Sequence, residues 1–142
     1  MLGGVHIPFD RGLEGHSDAD VLLHAICDAL LGAAALGDIG QHFPPGDPAF
    51  LDANSLDLLR GVRSMLDEAE FEPINIDASV ICEEPKIGPH AAAIRSAISL
   101  ATRLDISAIN VKATTNEGMG FIGRGEGIAA LAIATIQPTK GR

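Results

Sequence analysis

Three polar side chains recur at every fourth position of one apolar segment, at Asp20, His24 and Asp28. This spacing places them on one face of an α-helix. The residues between them are largely aliphatic, so the helix should be buried, and buried carboxylates and imidazoles need partners. A single histidine is usually a core residue with a satisfied ring, but His16 stands nearby and makes a metal or phosphate role for His24 the favoured interpretation. The two aspartates are expected to cap or support the site.

Further candidate groups stand in turns of the second half of the chain. Thr114 and Thr115 end a predicted strand and Glu117 comes just after it, a pattern that by itself is typical of an ordinary polar turn. Lys86 and Arg124 have proline or glycine close by, which would hold a basic side chain in place. Either residue could bind a phosphate or remain a solvated surface charge, and the residues alone support both interpretations equally.

Residues 118–123 match the pattern G-x-G-x-x-G. A dinucleotide-binding loop of this pattern should open a helix and precede an acidic residue about 20 positions further on. The segment that follows instead has the apolar character of a strand, so we reject a dinucleotide-binding fold. The glycines could still bring backbone N–H groups close to a phosphate.

Composition limits the class of protein and the kind of ligand. The chain has 142 residues, 46% of them hydrophobic, with no Trp or Tyr, which fits one domain over residues 1–142 with an aliphatic core. The net charge of −9 argues against a nucleic-acid partner, and an anionic substrate would need metals, Lys, Arg or backbone N–H groups. Cys27 and Cys82 are isolated, and we find no secretory leader, transit peptide or membrane-length apolar run, so a cytoplasmic protein is expected.

Hydrophobic periodicity and turn residues predict an α+β protein with the element order β, α, α, β, α, β, β. The predicted elements are a strand over residues 1–7, helices over 16–37, 55–70 and 89–104, strands over 74–82, 109–115 and 128–136, and a long loop over 41–54. The alanines of the last segment leave a helix there as the alternative to a strand. Gly37 should end the first helix, Ser17 should cap it, and Asn54 or Ser55 should cap the second. Three helices would cover one face of a mixed β-sheet, and the apolar last strand predicts that the other face packs against further subunits.

Several motifs in order closely resemble the 2-C-methyl-D-erythritol 2,4-cyclodiphosphate synthases of the non-mevalonate isoprenoid route. The resembling segments are residues 16–24, 28–40, 85–86, 110–117 and 123–127, and the match runs from about residue 2 to the end. The resemblance implies a homotrimer with active sites between neighbouring subunits. It implies conversion of 4-diphosphocytidyl-2-C-methyl-D-erythritol 2-phosphate to the cyclic diphosphate with release of CMP. It also implies a zinc ion and a second divalent ion, Mg²⁺ or Mn²⁺, and a cytoplasmic or, in a eukaryote, plastid location.

The same resemblance assigns roles to individual positions. His24 matches a zinc ligand and Glu117 the ligand of the second metal, while His16 and Thr115 match the residues that stabilise the transition state. The positions that match substrate contacts are His16, Ser17, Asp38, Ile39 and Gly40 on the phosphate and methylerythritol side, Phe43, Pro44, Pro45, Gly46 and Asp47 in the loop beside it, Cys82, Glu83, Glu84, Pro85, Lys86, Ile87 and Gly88 on the cytidine side contributed by the neighbouring subunit, Thr114, Thr115, Asn116 and Glu117 at the diphosphate, and Phe121 and Arg124 as further contacts.

Two departures from the family pattern bear on activity. Pro45 stands where the family loop usually has Asp, which removes a side-chain contact. The family begins with a strand that ends in Asp-x-His, and both of these residues bind the zinc. This chain starts downstream of that strand. A misassigned start, a truncation or a degenerate form would explain the difference, and we favour the first two. His24 would then be the only protein ligand left, so we expect this chain to bind zinc poorly and to turn over slowly at best.

A trimeric protein that binds cytidine nucleotides without catalysis is the alternative function. Release of CMP from the substrate in the presence of magnesium would indicate the enzyme, and CDP binding without turnover would indicate the binding protein. A purely structural assembly predicts no nucleotide affinity, and it gives Lys86 and Thr115 no packing reason to stand at the family's site positions.

Overall fold

A three-stranded mixed sheet is the frame of the molecule in the computed structural model, which describes residues 1–8, 20–50 and 53–139. Its strands are β1 (Phe71–Ile81), β2 (Ile109–Thr114) and β3 (Ala129–Pro138). β1 lies in the centre, parallel to β2 and antiparallel to β3. The helices are α1 (Val21–Ala33), α2 (Ile39–His42), α3 (Ser55–Glu68), α4 (Ala91–Thr102) and α5 (Gly120–Gly123), with 3₁₀ turns at Pro48–Phe50, Gly88–His90 and Ile106–Ala108.

One face of the sheet and the apolar sides of α1, α3 and α4 enclose the core. On β1 the residues Ile76, Ala78 and Val80 are buried, at every second position, as expected when one face of a strand packs inward. Helix α1 contributes the largest share of buried side chains, which are Leu22, Leu23, Ile26, Cys27, Leu30 and Leu31. Burial of a leucine side chain contributes about 1.5–3 kcal/mol, so α1 is held against the sheet mainly by its aliphatic residues.

The other sheet face is open in a single chain. Leu131 and Ile133 of β3 remain 66% and 71% exposed. Beside them the Asp77 carboxylate accepts hydrogen bonds from Lys112 Nζ at 2.9 Å and Asn110 Nδ2 at 3.2 Å. This face therefore combines exposed apolar side chains with a surface ion pair.

The sequence predicted the α+β class, the mixed sheet and most element positions, and the structure confirms them. The strands predicted over 74–82, 109–115 and 128–136 correspond to β1, β2 and β3. The helix predicted over 55–70 is α3, and Asn54 caps it by accepting a hydrogen bond from Leu56 N at 2.8 Å. The third predicted helix is α4, preceded by the 3₁₀ turn that contains Pro89.

The prediction of a strand over residues 1–7 is wrong. Gly3 and Gly4 adopt left-handed φ angles of 59° and 79°, and Leu2 and Val5 form an isolated antiparallel bridge around them. The physical reason is a buried carboxylate: both glycine N–H groups donate to Asp20. A Cβ on Gly3 would lie 2.3 Å from Ile94 Cγ2, so the turn also needs the absence of a side chain.

The bounds of the first helix also differ from the prediction. α1 begins at Val21 with Asp20 as its cap, and the predicted cap Ser17 lies outside the described residues. The helix ends at Ala33 and not at Gly37, and Ala35 already has a left-handed φ of 57°. The predicted long loop over 41–54 contains the end of α2 and a 3₁₀ turn within its described part.

Candidate active site

The polar face of α1, formed by Asp20, His24 and Asp28, contacts three separate segments of the chain. Its first member, Asp20, is fully buried. The carboxylate accepts hydrogen bonds from Leu23 N at 3.0 Å, Gly3 N at 2.9 Å and Gly4 N at 2.7 Å. Asp20 therefore caps α1 and holds the N-terminal turn, as expected of a supporting residue.

His24, one helical turn further, faces the start of α3. Its Nε2 atom lies 3.1 Å from Oγ of Ser55, which is fully buried as the first residue of that helix. Within residues 1–8, 20–50 and 53–139, no three His, Cys, Asp or Glu side chains converge as a metal-binding group. The described residues thus do not fit a complete zinc site, because zinc sites in proteins use three or four protein ligands. The predicted partners His16 and Ser17 lie outside the described residues.

The third member of the face, Asp28, holds the short helix α2. Its Oδ1 accepts a hydrogen bond from Ile39 N at 2.8 Å, and Asp38 caps the same helix by accepting from Gln41 N at 2.9 Å. We call the polar face of α1, α2 and the loop over residues 43–50 the helical cluster. Phe43 closes that loop by packing edge to face on Phe50, with ring centroids 5.3 Å apart.

The remaining predicted residues of the helical cluster line this loop. Asp47 caps the 3₁₀ turn by accepting a hydrogen bond from Ala49 N at 2.9 Å. Pro44, Pro45 and Gly46 are exposed. Their exposure leaves this side of the loop open to a ligand.

A second group of predicted residues meets at the carboxyl ends of β1 and β2. The two strands are parallel and in register, with Ile81 opposite Thr114, so the segments that follow them leave the sheet side by side. Cys82 N donates to the Thr114 carbonyl at 3.0 Å. We call residues 82–88, 114–119 and α5 with Arg124 the strand-end cluster. In one chain the structure thus brings together the segments predicted for cytidine and for diphosphate.

The turn after β2 is held by hydrogen bonds to Glu83 and by further hydrogen bonds within the turn itself. Asn116 N and Gly118 N donate to the two carboxylate oxygens of Glu83, at 2.6 and 3.2 Å. Glu117 N donates to Thr115 Oγ1 at 3.2 Å, and Met119 N donates to the Asn116 carbonyl at 3.0 Å. The N–H groups of residues 118 and 119 therefore already have acceptors within the chain, so the possibility that this glycine-rich segment brings N–H groups to a phosphate does not extend to these two positions. Side chains are left to bind the ligand.

Two hydroxyls in this turn differ in what they can still donate. The Thr114 hydroxyl donates to the Thr115 carbonyl at 3.4 Å. The Thr115 hydroxyl oxygen accepts from Glu117 N, so its own proton remains available for an outside acceptor. Thr115 and Glu117 are both exposed, and Glu117 adopts a left-handed φ of 55°. This geometry presents a hydroxyl donor and a carboxylate on one exposed turn.

The two basic residues of the strand-end cluster are exposed. Lys86 Nζ lies 3.5 Å from the Glu83 carbonyl and 3.8 Å from Glu84 Oε1, with its side chain 69% exposed. Arg124 donates to both carboxylate oxygens of Glu126, at 2.7 and 3.3 Å. Both cations can therefore exchange their present partners for phosphate with little rearrangement.

The remaining residues of this cluster differ in how far they are buried. Ile87 is 2% exposed, whereas Phe121 is 56% exposed. Burial raises the pKa of the Cys82 thiol, whose Sγ lies 3.5 Å from the Pro85 carbonyl. A buried thiol with a raised pKa serves for packing and is a poor nucleophile.

Sequence reasoning from residue types alone missed Ser55 and Glu83. Nothing in the local pattern marks Ser55 as more than a possible cap, because its partner His24 lies 31 positions away. Glu83 entered only through a resemblance, as a substrate contact, and its bonds to Asn116 and Gly118 depend on the pairing of β1 with β2. Both contacts arise from tertiary structure.

The fold and these two clusters describe an α+β protein with exposed Lys, Arg and Thr donors suited to a phosphorylated ligand. A model of the YgbB family matches residues 1–137 of the chain. The chain belongs to the YgbB family.

Curated relatives carry one enzyme name. The chain is 60% identical over 136 residues to 2-C-methyl-D-erythritol 2,4-cyclodiphosphate synthase of Symbiobacterium thermophilum, a match that covers 96% of this chain and 87% of the relative. It is 54% identical over 137 residues to the synthase of the same name from Chloroherpeton thalassium, with the same coverage. These levels of identity place the chain well within the family.

Solved structures share the fold. The bifunctional IspDF of Campylobacter jejuni superimposes with a TM-score of 0.93 at 46% identity, and the match covers 97% of this chain but only 37% of that longer chain. A CDP-bound 2C-methyl-D-erythritol-2,4-cyclodiphosphate synthase gives a TM-score of 0.88 at 31% identity, with 96% and 89% coverage. The CDP complex of IspF from Plasmodium falciparum gives 0.80 at 34% identity, covering 89% of this chain and 76% of that one.

Proposed function

We propose that this chain converts 4-diphosphocytidyl-2-C-methyl-D-erythritol 2-phosphate to 2-C-methyl-D-erythritol 2,4-cyclodiphosphate and CMP. The observation that carries the proposal is the strand-end cluster, where the segments that contain Lys86 and Thr115 leave adjacent strand ends and are both exposed at these residues. The same residues belong to the segments that match the synthase family. Relatives that carry the name of this synthase, and relatives solved with CDP, support the same ligand.

The reaction is an intramolecular phosphoryl transfer. An oxygen of the 2-phosphate forms a bond to the β-phosphorus, and the bond from that phosphorus to the oxygen that bridges to the α-phosphorus breaks. CMP leaves with the electron pair of the broken bond. Such a reaction is accelerated mainly by positioning and by stabilising charge on the phosphoryl oxygens.

Residues of the strand-end cluster are suited to both tasks. The Thr115 hydroxyl, with its oxygen already bonded to Glu117 N, can donate to a phosphoryl oxygen where charge develops. Lys86 supplies an exposed ammonium group beside the segment proposed for cytidine. Arg124 supplies a guanidinium that can form two parallel hydrogen bonds to a phosphate.

Metal ions belong to the proposal to different degrees. Glu117 would hold Mg²⁺ or Mn²⁺, since such ions are bound through one or two carboxylates together with substrate phosphates, and the ion would neutralise charge on the diphosphate. We propose His24 as a zinc ligand, and further ligands would have to come from outside the described residues. No part of the reaction is assigned to zinc.

A homotrimer with active sites between subunits is also proposed. In one chain the helical cluster and the strand-end cluster are held by separate sets of hydrogen bonds. Assembly through the open sheet face, with its exposed Leu131 and Ile133, would cover apolar surface. It would also let the helical cluster of one subunit complete the strand-end cluster of the next.

The setting proposed for the enzyme is the cytoplasm. Both cysteines, Cys27 and Cys82, are free thiols, which fits a reducing compartment. Among the described residues no helix is both long and apolar enough to cross a membrane.

Incubation of the purified chain with the substrate and Mg²⁺, with and without added Zn²⁺, tests the proposed reaction. We expect CMP and a cyclic diphosphate visible by ³¹P NMR, and we expect Thr115→Val to lower the rate by roughly 100-fold or more because one transition-state donor is lost. Thr139→Val is the matched control, because its hydroxyl donates to the Glu70 carbonyl at the opposite end of the sheet. CDP binding without CMP release would instead support a nucleotide-binding protein.

A further inference from the structure

We propose that Glu83 is a positioning residue that holds the turn carrying Thr115 and Glu117 in its reactive shape. The inference rests on the proposed function, because that function makes Thr115 and Glu117 the groups that must be held in place. It assigns Glu83 to the turn and not to the substrate. Each oxygen of its carboxylate accepts one backbone N–H, from Asn116 at 2.6 Å and from Gly118 at 3.2 Å. The contact joins positions 33 and 35 residues apart.

The two anchored N–H groups lie on either side of Glu117. Glu117 and Gly118 have consecutive left-handed φ angles of 55° and 72°. A non-glycine residue adopts this conformation only when its surroundings hold it there. Glu83 therefore fixes the part of the turn that is least stable by itself.

The turn also depends on Glu83 for the orientation of Thr115. Thr115 Oγ1 accepts from Glu117 N, so the direction of its free proton follows the backbone at residue 117. If Asn116 and Gly118 lose their acceptor, their N–H groups turn towards water and the Thr115 hydroxyl loses its fixed direction. The ligand could still bind through Lys86 and Arg124, but the reacting groups would be misplaced.

A direct substrate contact is the competing role for Glu83, and the two roles predict different kinetics. A positioning residue affects mainly kcat, because the ligand still binds while alignment in the transition state is lost. A residue that binds the nucleotide equally in the ground state and in the transition state affects mainly KM. The split between the two constants therefore separates them.

The variants Glu83→Ala, Glu83→Gln and Glu72→Ala test the inference on the full chain. Glu72 is the matched control: it lies at the opposite end of β1 and accepts one hydrogen bond, from Gln137 Nε2 at 2.7 Å. For E83A we expect kcat to fall about 10- to 100-fold with KM within about threefold of wild type, as for a misplacement of about 1 Å. E83Q keeps one acceptor oxygen and should recover most of that loss, and E72A should behave as wild type.

Amide hydrogen exchange gives a readout that does not depend on catalysis. In E83A the amides of Asn116 and Gly118 should exchange at least about tenfold faster, while those of β1 keep their protection. If E83A does not fold, Glu83→Asp provides the comparison, because it keeps the charge but is too short to reach both N–H groups.

Three results would overturn the inference: wild-type kcat in E83A, a raised KM with unchanged kcat, or unchanged exchange at Asn116 and Gly118. A wild-type chain that releases no CMP overturns the proposed function instead. Exchange in E83A then still decides whether Glu83 holds the turn.

Discussion

The helical cluster and the strand-end cluster are built in opposite ways. In the helical cluster, Asp20, His24 and Asp28 of one helix reach out to separate segments, and the anchoring groups Asp20 and Ser55 are fully buried. In the strand-end cluster the turn after β2 makes hydrogen bonds within itself, and the half-buried Glu83 carboxylate ties it to the segment that follows β1. Changes at the buried anchors of the helical cluster should lower stability, and changes in the strand-end cluster should lower activity while the fold persists.

The largest effect should come from Gly123→Ala in the strand-end cluster. A Cβ at this position would lie 2.1 Å from the carbonyl carbon of Gly118, a backbone atom that cannot rotate away. The turn must therefore shift, and we expect CMP release to fall by roughly 100-fold or more. Steady-state kinetics measures the loss of activity, and a thermal unfolding scan measures any loss of stability.

Gly32→Ala on α1 is the control for that substitution. A Cβ there meets nothing within 4 Å, so it should raise stability by about 0.5–1 kcal/mol through helix propensity. Equal losses of activity in G123A and G32A would remove the distinction between the clusters.

In the helical cluster, Asp20→Ala should have the next largest effect, on stability. It removes the cap of α1 and leaves the N–H groups of Gly3 and Gly4 without their acceptor. We expect a loss of about 2–4 kcal/mol in the free energy of unfolding, measured by urea denaturation. A loss below about 1 kcal/mol would mean that water replaces the carboxylate, and that this face of α1 does not fasten the N-terminal turn.

Asp28→Ala should affect binding more than stability. Its carboxylate is exposed and, among the described residues, accepts a hydrogen bond only from Ile39 N, so the unfolding free energy should change by less than about 1 kcal/mol. Because α2 carries Asp38 and Gly40, the KM for substrate should rise severalfold, and kinetics measured beside E83A would show the contrast. A fall in kcat with unchanged KM would instead mean that Asp28 influences the reaction step, as expected for the residues of the strand-end cluster.

The smallest expected effect concerns acid stability of the open sheet face. Hydrogen bonds from Lys112 and Asn110 outweigh partial burial and lower the pKa of the Asp77 carboxyl below its ordinary value. A lowered folded pKa means that the stabilisation is complete above about pH 4 and is lost as the pH falls through the folded value. Asp77→Asn should lower stability at neutral pH by less than about 1 kcal/mol and flatten the decline below pH 4, as measured by thermal unfolding across pH.

Regular elements were predictable because their signals are local. Alternating burial in β1 and the aliphatic spacing of α3 follow from residues within one segment. The strand predicted over residues 1–7 failed because a distant carboxylate, Asp20, competes for the same N–H groups. Likewise Gly37 lost the role of helix terminator because α1 already ends at Ala33.

The site residues also divide into those that local motifs mark and those that only distant contacts reveal. Lys86 and Thr115 were marked by motifs, and the segments that contain them follow neighbouring strand ends in the structure. The sequence left open that the glycine-rich segment brings N–H groups to a phosphate, but at residues 118 and 119 Glu83 and Asn116 already accept these hydrogen bonds. No local pattern could show that Glu83 bonds to a turn more than 30 positions away.

By itself the amino-acid sequence determined the α+β class, the position of each strand of the sheet, the polar face of α1 and the family. Those properties depend on periodicity, turn residues and motif order, all of which are local. Tertiary structure alone decided which backbone groups the buried carboxylates hold and which hydroxyl keeps a free proton. Hydrogen bonds between distant segments are chosen only when packing brings the segments together and removes water from the competing arrangements.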